Sequence, residues 1–165
     1  MPDFMNKNDI LRRVRYLFDF SDADMISIFG QAGHQVLRAQ VSDWLKKEED
    51  PARNKCTDKD LAIFLNGLIN HKRGKREGSQ SEPEQTLSNN AILTKLKIAM
   101  DFKAEDMVRV LSLGGLQISK HELSAFFRKP GHKHYRECKN QILRNFLNGL
   151  QLELRPGDGN GSADP

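Results

Sequence analysis

The chain repeats itself, and no other feature limits its possible folds so sharply. Displaced by 82 positions, NDILRRVRYLFDF (8–20) falls on NAILTKLKIAMDF (90–102) without a gap. The same displacement sets DMISIF (24–29) on DMVRVL (106–111), Gly33 on Gly115, Trp44 and Leu45 on Phe126 and Phe127, Cys56 on Cys138, and FLNGL (64–68) on FLNGL (146–150). About 18 in about 61 aligned positions are identical, which makes the chain a tandem duplication. The expected organisation is a first repeat over 1–72, a linker over 73–88, a second repeat over 89–154 and a disordered tail over 155–165. The linker segment HKRGKREGSQSEPEQTLSNN (71–90) and the tail RPGDGNGSADP lack the large apolar side chains that a core requires.

Within a repeat the apolar periodicity is helical. Ile10, Leu11, Val14, Leu17 and Phe18 form one face of a first helix, with Arg12, Arg13 and Arg15 expected largely off it. Ser21 with Asp24 has capping-box spacing and opens a second helix, which Gly33 closes. A third helix is expected from about Arg38 to Lys47, burying Val41, Trp44 and Leu45, and Ser119 with Glu122 caps its counterpart. Thr57 with Asp60 opens a fourth, which carries Leu61, Phe64, Leu65, Leu68 and Ile69. The fold class is therefore all-α: two tandem copies of a small four-helix unit with helix-turn-helix-like order. A unit of this size buries little surface, so the copies are expected to pack against each other.

Several motifs invite a chemical reading. The second and third helices follow the order of a DNA-reading helix-turn-helix, although the stretch from Gly33 to Val41 is longer than a tight turn and the third helix mixes Asp43 among its exposed positions. Basic residues gather in RKPGHKHYRECK (128–139), and phosphate binding uses such clusters. Arg128, Lys129, Lys133 and Arg136, with Tyr135 able to stack on a base, join Arg12, Arg13, Arg15, Lys95 and Lys97 as candidate nucleic-acid contacts. His121, His132, His134 and Cys138 offer zinc-ligating atoms, but the first repeat has no such histidines and no second ligand pair completes a structural site, so no metal is expected. Cys56 and Cys138 read as reduced, buried thiols. FLNGL places Gly67 and Gly149 inside helices, where close backbone packing explains them; Asn66 and Asn148 suit side-chain hydrogen bonding. No glycine-rich phosphate loop or nucleophile elbow is present, and Asp24 and Asp106 are accounted for by the helix dipole, so neither an enzyme nor a cofactor is expected.

The segments NDILRRVRY, WLKKEED, FLNGLINHKRGK, NNAILTKLKIA and FRKPGHKHYRECKNQILRNFLNGL together resemble the YehS-like family of bacterial proteins, built from a doubled domain of unknown function. The resemblance spans about residues 8–150 and implies a bacterial, cytosolic protein; it carries over no functional residue. A net charge of +4 and a pI near 9.1 agree with a partner that carries phosphate without requiring one. No apolar run approaches the length of a membrane span, and no apolar N-terminal stretch suggests a secretory signal, so a cytoplasmic location is expected. The leading functional expectation is a non-enzymatic, regulatory protein that binds DNA or RNA. The alternative is an adaptor that holds another protein in a groove between the repeats.

Overall fold

A computed structural model describes residues 5–75 and 81–157. The chain divides into two compact units, one over Met5–Leu87 and the other from Ser88 onward. In the first unit α1 spans Lys7–Leu17, α2 Asp22–Gln31, α3 Arg38–Leu45 and α4 Asp58–Arg73. In the second, α5 spans Asn89–Ala99, α6 Ala104–Leu113, α7 Lys120–Ser124 running into a 3-10 turn at Ala125–Phe127, and α8 Asn140–Leu154. Among the described residues every regular element is helical.

Local chemistry starts these helices. The Ser21 hydroxyl accepts from the Asp24 amide at 3.0 Å while the Asp24 carboxylate accepts from the Ser21 amide at 2.9 Å. Thr57 with Asp60 and Ser119 with Glu122 repeat this reciprocal closure, which satisfies donors that the first turn leaves open. Asn6 with Asp9 does the same for α1. At α6, where Lys103 replaces the serine, only the returning half survives, from the Lys103 amide to Asp106 at 2.8 Å.

Two equivalent residues in each unit turn the chain out of a helix. Gly33 and Gly115 have φ of 77° and 98°, and the next amide reaches back across them: His34 to the Phe29 carbonyl, Leu116 to the Leu111 carbonyl. Asp19 and Asp101 take the same left-handed conformation, at φ 54° and 56°, after α1 and α5. An aspartate tolerates that region better than a branched residue would.

The core of each unit is the apolar face of its last helix. Leu61, Phe64, Leu65 and Leu68 of α4 are fully buried, and Phe29 stacks on Trp44 with ring centroids 5.2 Å apart while tilting against Phe64 at 5.3 Å. A Cβ at Gly67 would stand 2.0 Å from the Ile28 carbonyl oxygen, and one at Gly149 would stand 1.9 Å from that of Val110. Ile28 and Val110 are equivalent positions, so the repeated FLNGL marks one helix crossing made twice, α2 on α4 and α6 on α8.

Two expectations need correcting. Helix α3 stops at Leu45, short of Lys47, because Lys46 turns to an extended conformation at φ −69° and ψ 153°. Its counterpart α7 keeps five α-helical residues before tightening into the 3-10 turn. Arg13 does not lie off the apolar face: it is only 9% exposed. In the segment read as linker, Leu87 is buried and its amide donates to Asp58 Oδ2 at 2.7 Å, while residues 76–80 lie outside the described residues. Of the tail, residues 158–165 lie outside them too.

Candidate nucleic-acid interface

The basic stretch of the second unit is held on a frame that both units share. In the first turn of α5 the Asn90 side chain donates to the Phe126 carbonyl at 3.0 Å and to the Arg136 carbonyl at 2.8 Å, and its oxygen accepts from the Cys138 amide at 2.9 Å. One buried amide therefore fixes the loop at its start, near its end, and at the residue that leads into α8. Asn8 makes the same three contacts in the first unit, with the Trp44 and Asn54 carbonyls and the Cys56 amide. A backbone bond closes the loop again in each unit, from the Arg136 amide to Ala125 and from the Asn54 amide to Asp43. Neither asparagine stands out in the sequence except by being the same in both repeats.

On these matching frames the side chains diverge. The first unit carries KKEEDPARN over 46–54 and the second RKPGHKHYR over 128–136. Three acidic residues, Glu48, Glu49 and Asp50, stand where the second unit has Pro130, Gly131 and His132; over 128–136 there is no acid at all. Lys129, His132, Lys133, His134 and Arg136 are exposed, and Arg128 and Tyr135 half-buried. Inside the loop the His132 amide donates to the Lys129 carbonyl and the Tyr135 amide to the His132 carbonyl, each at 2.9 Å. The Arg136 guanidinium sits 5.0 Å from the centroid of the buried Phe126 ring, a cation-π contact that orients it. Arg128 donates to the Ser124 hydroxyl at 3.4 Å, a long contact.

Beside this loop lies a cleft of about 320 Å³ lined by His121, Glu122, Ala125, Arg128, His134 and Arg136. Glu122 is the acid of the α7 capping box; hydrogen bonds from the Ser119 backbone and side chain hold its carboxyl below the ordinary value, with the positive charge of Arg136 contributing.

The candidate residues outside the loop are placed differently. Arg12 donates to Asp9 at 2.9 Å and to the Lys46 carbonyl at 3.4 Å; Arg13 is buried and Arg15 half-buried. All three belong to α1 of the first unit. Lys95 and Lys97 on α5 are half-buried, and the Lys97 ammonium lies 5.7 Å from the Phe127 ring, next to Arg128 in the chain. The structure thus gathers Arg128, Lys129, Lys133, Tyr135 and Arg136 on one loop, with Lys97 approaching its base.

Cys138 is buried beneath this loop, 1% exposed, as is Cys56 in the first unit, and desolvation pushes each thiol up to about 12. Among the described residues no three His, Cys, Asp or Glu side chains converge as metal ligands would, although the His132 and His134 rings lie 5.6 Å apart. No described helix is long and apolar enough to cross a membrane. A second cleft, in the first unit, is lined by Ile26, Gly30, Gln35, Val36 and Leu37, with Leu37 72% exposed at its edge.

A helical unit made twice on one frame, with mixed charges on the loop of the first copy and an acid-free basic loop on the second, defines a tandem-duplicated all-α protein whose copies have diverged at a surface loop. The chain belongs to the DUF1456 family of proteins of unknown function, whose model matches residues 7–74 and 89–156, one match to each unit. It is similar to the uncharacterized protein YehS of Escherichia coli (strain K12), 41% identical over 147 residues that cover 88% of this chain and 94% of that one. No solved structure matches.

Proposed function

We propose that the protein is a non-enzymatic nucleic-acid-binding protein whose contact surface is the 128–139 loop of the second unit. One observation carries this reading: on two frames with the same hydrogen bonds, the second unit presents a row of cations with no acid over 128–136 where the first presents three acids over 46–54. Packing does not require that difference, since the frame is the same under both loops. Exposed Lys129, Lys133 and Arg136 supply point charges for a phosphate backbone, and Tyr135 supplies a ring for an unstacked base. The arginines of α1 contribute less, because Arg12 is engaged by Asp9 and Arg13 is buried. Reading of a major groove by α7 finds little support: at about 1.5 Å per residue its five residues span less than 10 Å.

The test is binding of a fluorescent single-stranded oligonucleotide with hydroxyl ends, measured by anisotropy across a salt series. The apparent affinity should fall log-linearly with salt, and K129Q/K133Q together should reduce the slope by about 1.4, about 0.7 for each single-strand phosphate deprived of its lysine. Absence of binding at low salt, or an unchanged slope in that double variant, would refute the reading.

A further inference from the structure

The cleft beside the loop has a composition that backbone neutralisation alone does not call for. Arg128 and Arg136 face it together with His121 and His134, and the equivalent positions of the first unit are Lys46, Asn54, Ala39 and Ala52. Two guanidiniums and two imidazoles thus stand where the other copy of the same backbone has one ammonium, one amide and two methyl groups. Planar guanidiniums present paired N–H donors that match the oxygens of a phosphate, which ammonium groups do not.

One of the two donors is also held in place before any ligand arrives. Arg136 is fixed through its amide on Ala125, its carbonyl on Asn90 and its guanidinium over Phe126. Arg128 keeps only the 3.4 Å contact to Ser124, and its Nε is buried without a hydrogen-bond partner. With its terminal nitrogens held by no more than that long contact, the half-buried Arg128 has donors to offer an acceptor in the cleft. The one acid of the cleft, Glu122, has an oxygen committed to the Ser119 amide at 2.9 Å. At about 320 Å³ the cleft admits a phosphate with part of its sugar and is too small for a folded strand.

We infer that this cleft binds a phosphomonoester, the terminal phosphate of a nucleotide, with Arg128 and Arg136 as its paired donors and His121 and His134 completing the ring. The inference rests on the nucleic-acid reading for where such a group comes from: the end of a bound strand or a free mononucleotide. An end phosphate carries more negative charge than the diesters along a strand, which suits a cleft where two guanidiniums and two imidazoles face one engaged carboxylate.

The experiment uses the full chain and two oligonucleotides of one sequence, one 5′-phosphorylated and one with a 5′-hydroxyl, together with AMP as the mononucleotide probe. The phosphorylated strand should bind at least about tenfold more tightly, the factor that one added charge-assisted hydrogen bond supplies. Arg128→Gln should bring that ratio to about one. In the wild-type chain, saturable AMP-dependent shifts of the His121, Arg128, His134 and Arg136 amide resonances test the site without relying on a variant. A phosphorylation preference without AMP binding assigns the cleft to strand ends; AMP binding without that preference assigns it to mononucleotides; both outcomes support it. Equal affinity for the two strands combined with no saturable AMP shift overturns it. In that case salt-dependent binding of the hydroxyl-ended strand would leave the nucleic-acid reading standing; conversely, loss of strand binding with saturable AMP shifts retained would remove that reading and leave the cleft assignment.

Discussion

Asn8 and Asn90 each serve three backbone groups from one side chain, two carbonyls and one amide, at 2.8 to 3.0 Å. Asn90→Ala would leave the Phe126 and Arg136 carbonyls and the Cys138 amide without that partner, a loss of about 2–4 kcal/mol that urea unfolding would report. Asn90→Asp, similar in shape, should cost more, since it aims a carboxylate at two carbonyl oxygens. Gly67 and Gly149 reverse the usual helix rule. Glycine to alanine inside a helix ordinarily gains about 1 kcal/mol. Here the new methyl would meet a carbonyl oxygen at 2.0 or 1.9 Å, so each change should instead destabilise by about 2–3 kcal/mol, seen as a lower urea midpoint. The glycines were legible in the sequence because a helix-interior glycine retained in both repeats has few explanations other than close packing. The asparagines were not, because an asparagine in a first helical turn is common and its reach into a loop some 46 residues away exists only in three dimensions. The expectation for Arg13 failed for a related reason: its position lies at the edge of the apolar face, where tertiary packing and not periodicity decides exposure.

At the scale of elements, the helix starts were legible and the loop-facing helix ends were not. Ser21, Thr57 and Ser119 cap through residues three positions away, so spacing alone carries the information. The end of α3 and the shortening of α7 depend on carbonyls at Trp44 and Phe126 that a distant asparagine holds. Ser119→Ala should cost about 1 kcal/mol and should loosen α7 more than an equivalent change in a longer helix, because five residues have little propagation to offset a lost cap. Hydrogen exchange at the α7 amides would show it. The capping carboxylates also set an acid limit. Asp24, Asp106 and Glu122 are held below their ordinary values of 3.8, 3.8 and 4.5 by hydrogen bonds from Ser21, Lys103 and Ser119. A depressed folded value means that their contribution is present above those ordinary values and is lost as pH falls below them. At the other limit, burial raises Cys56 and Cys138 from 9.0 to about 12, so the contribution of neutral thiols is complete below pH 9 and is lost as pH rises from 9 toward 12. A Cys56→Ala/Cys138→Ala chain should lose less stability over that interval than the parent does, in urea titrations run at each pH.

Across the whole molecule, duplication supplies an internal control that a single domain would lack. Features kept by both units, the FLNGL crossing, the left-handed turns at Gly33 and Gly115, the buried cysteines and the asparagine frame, have complete structural explanations. Selection for folding therefore accounts for the similarity of the two units and leaves the loops unexplained. Between those loops, 46–54 holds three Lys or Arg with three acids and 128–136 four Lys or Arg with none. A chain in which residues 128–136 are replaced by KKEEDPARN keeps the frame, because the bonds from Asn90 end on backbone carbonyls and a backbone amide that any residue but proline at the amide can supply. Its thermal midpoint should stay close to that of the parent, while oligonucleotide binding at low salt should fall by an order of magnitude or more, about 1.4 kcal/mol or above. Placing RKPGHKHYR at 46–54 of the same variant then separates loop from surroundings. The grafted frame offers Ala39 and Gln40 where the second unit has His121 and Glu122. Salt-dependent binding of hydroxyl-ended strands should return with the cations, and preference for a terminal phosphate should not, since His121 remains in the other unit. Recovery of both would place the phosphate selectivity in the loop alone.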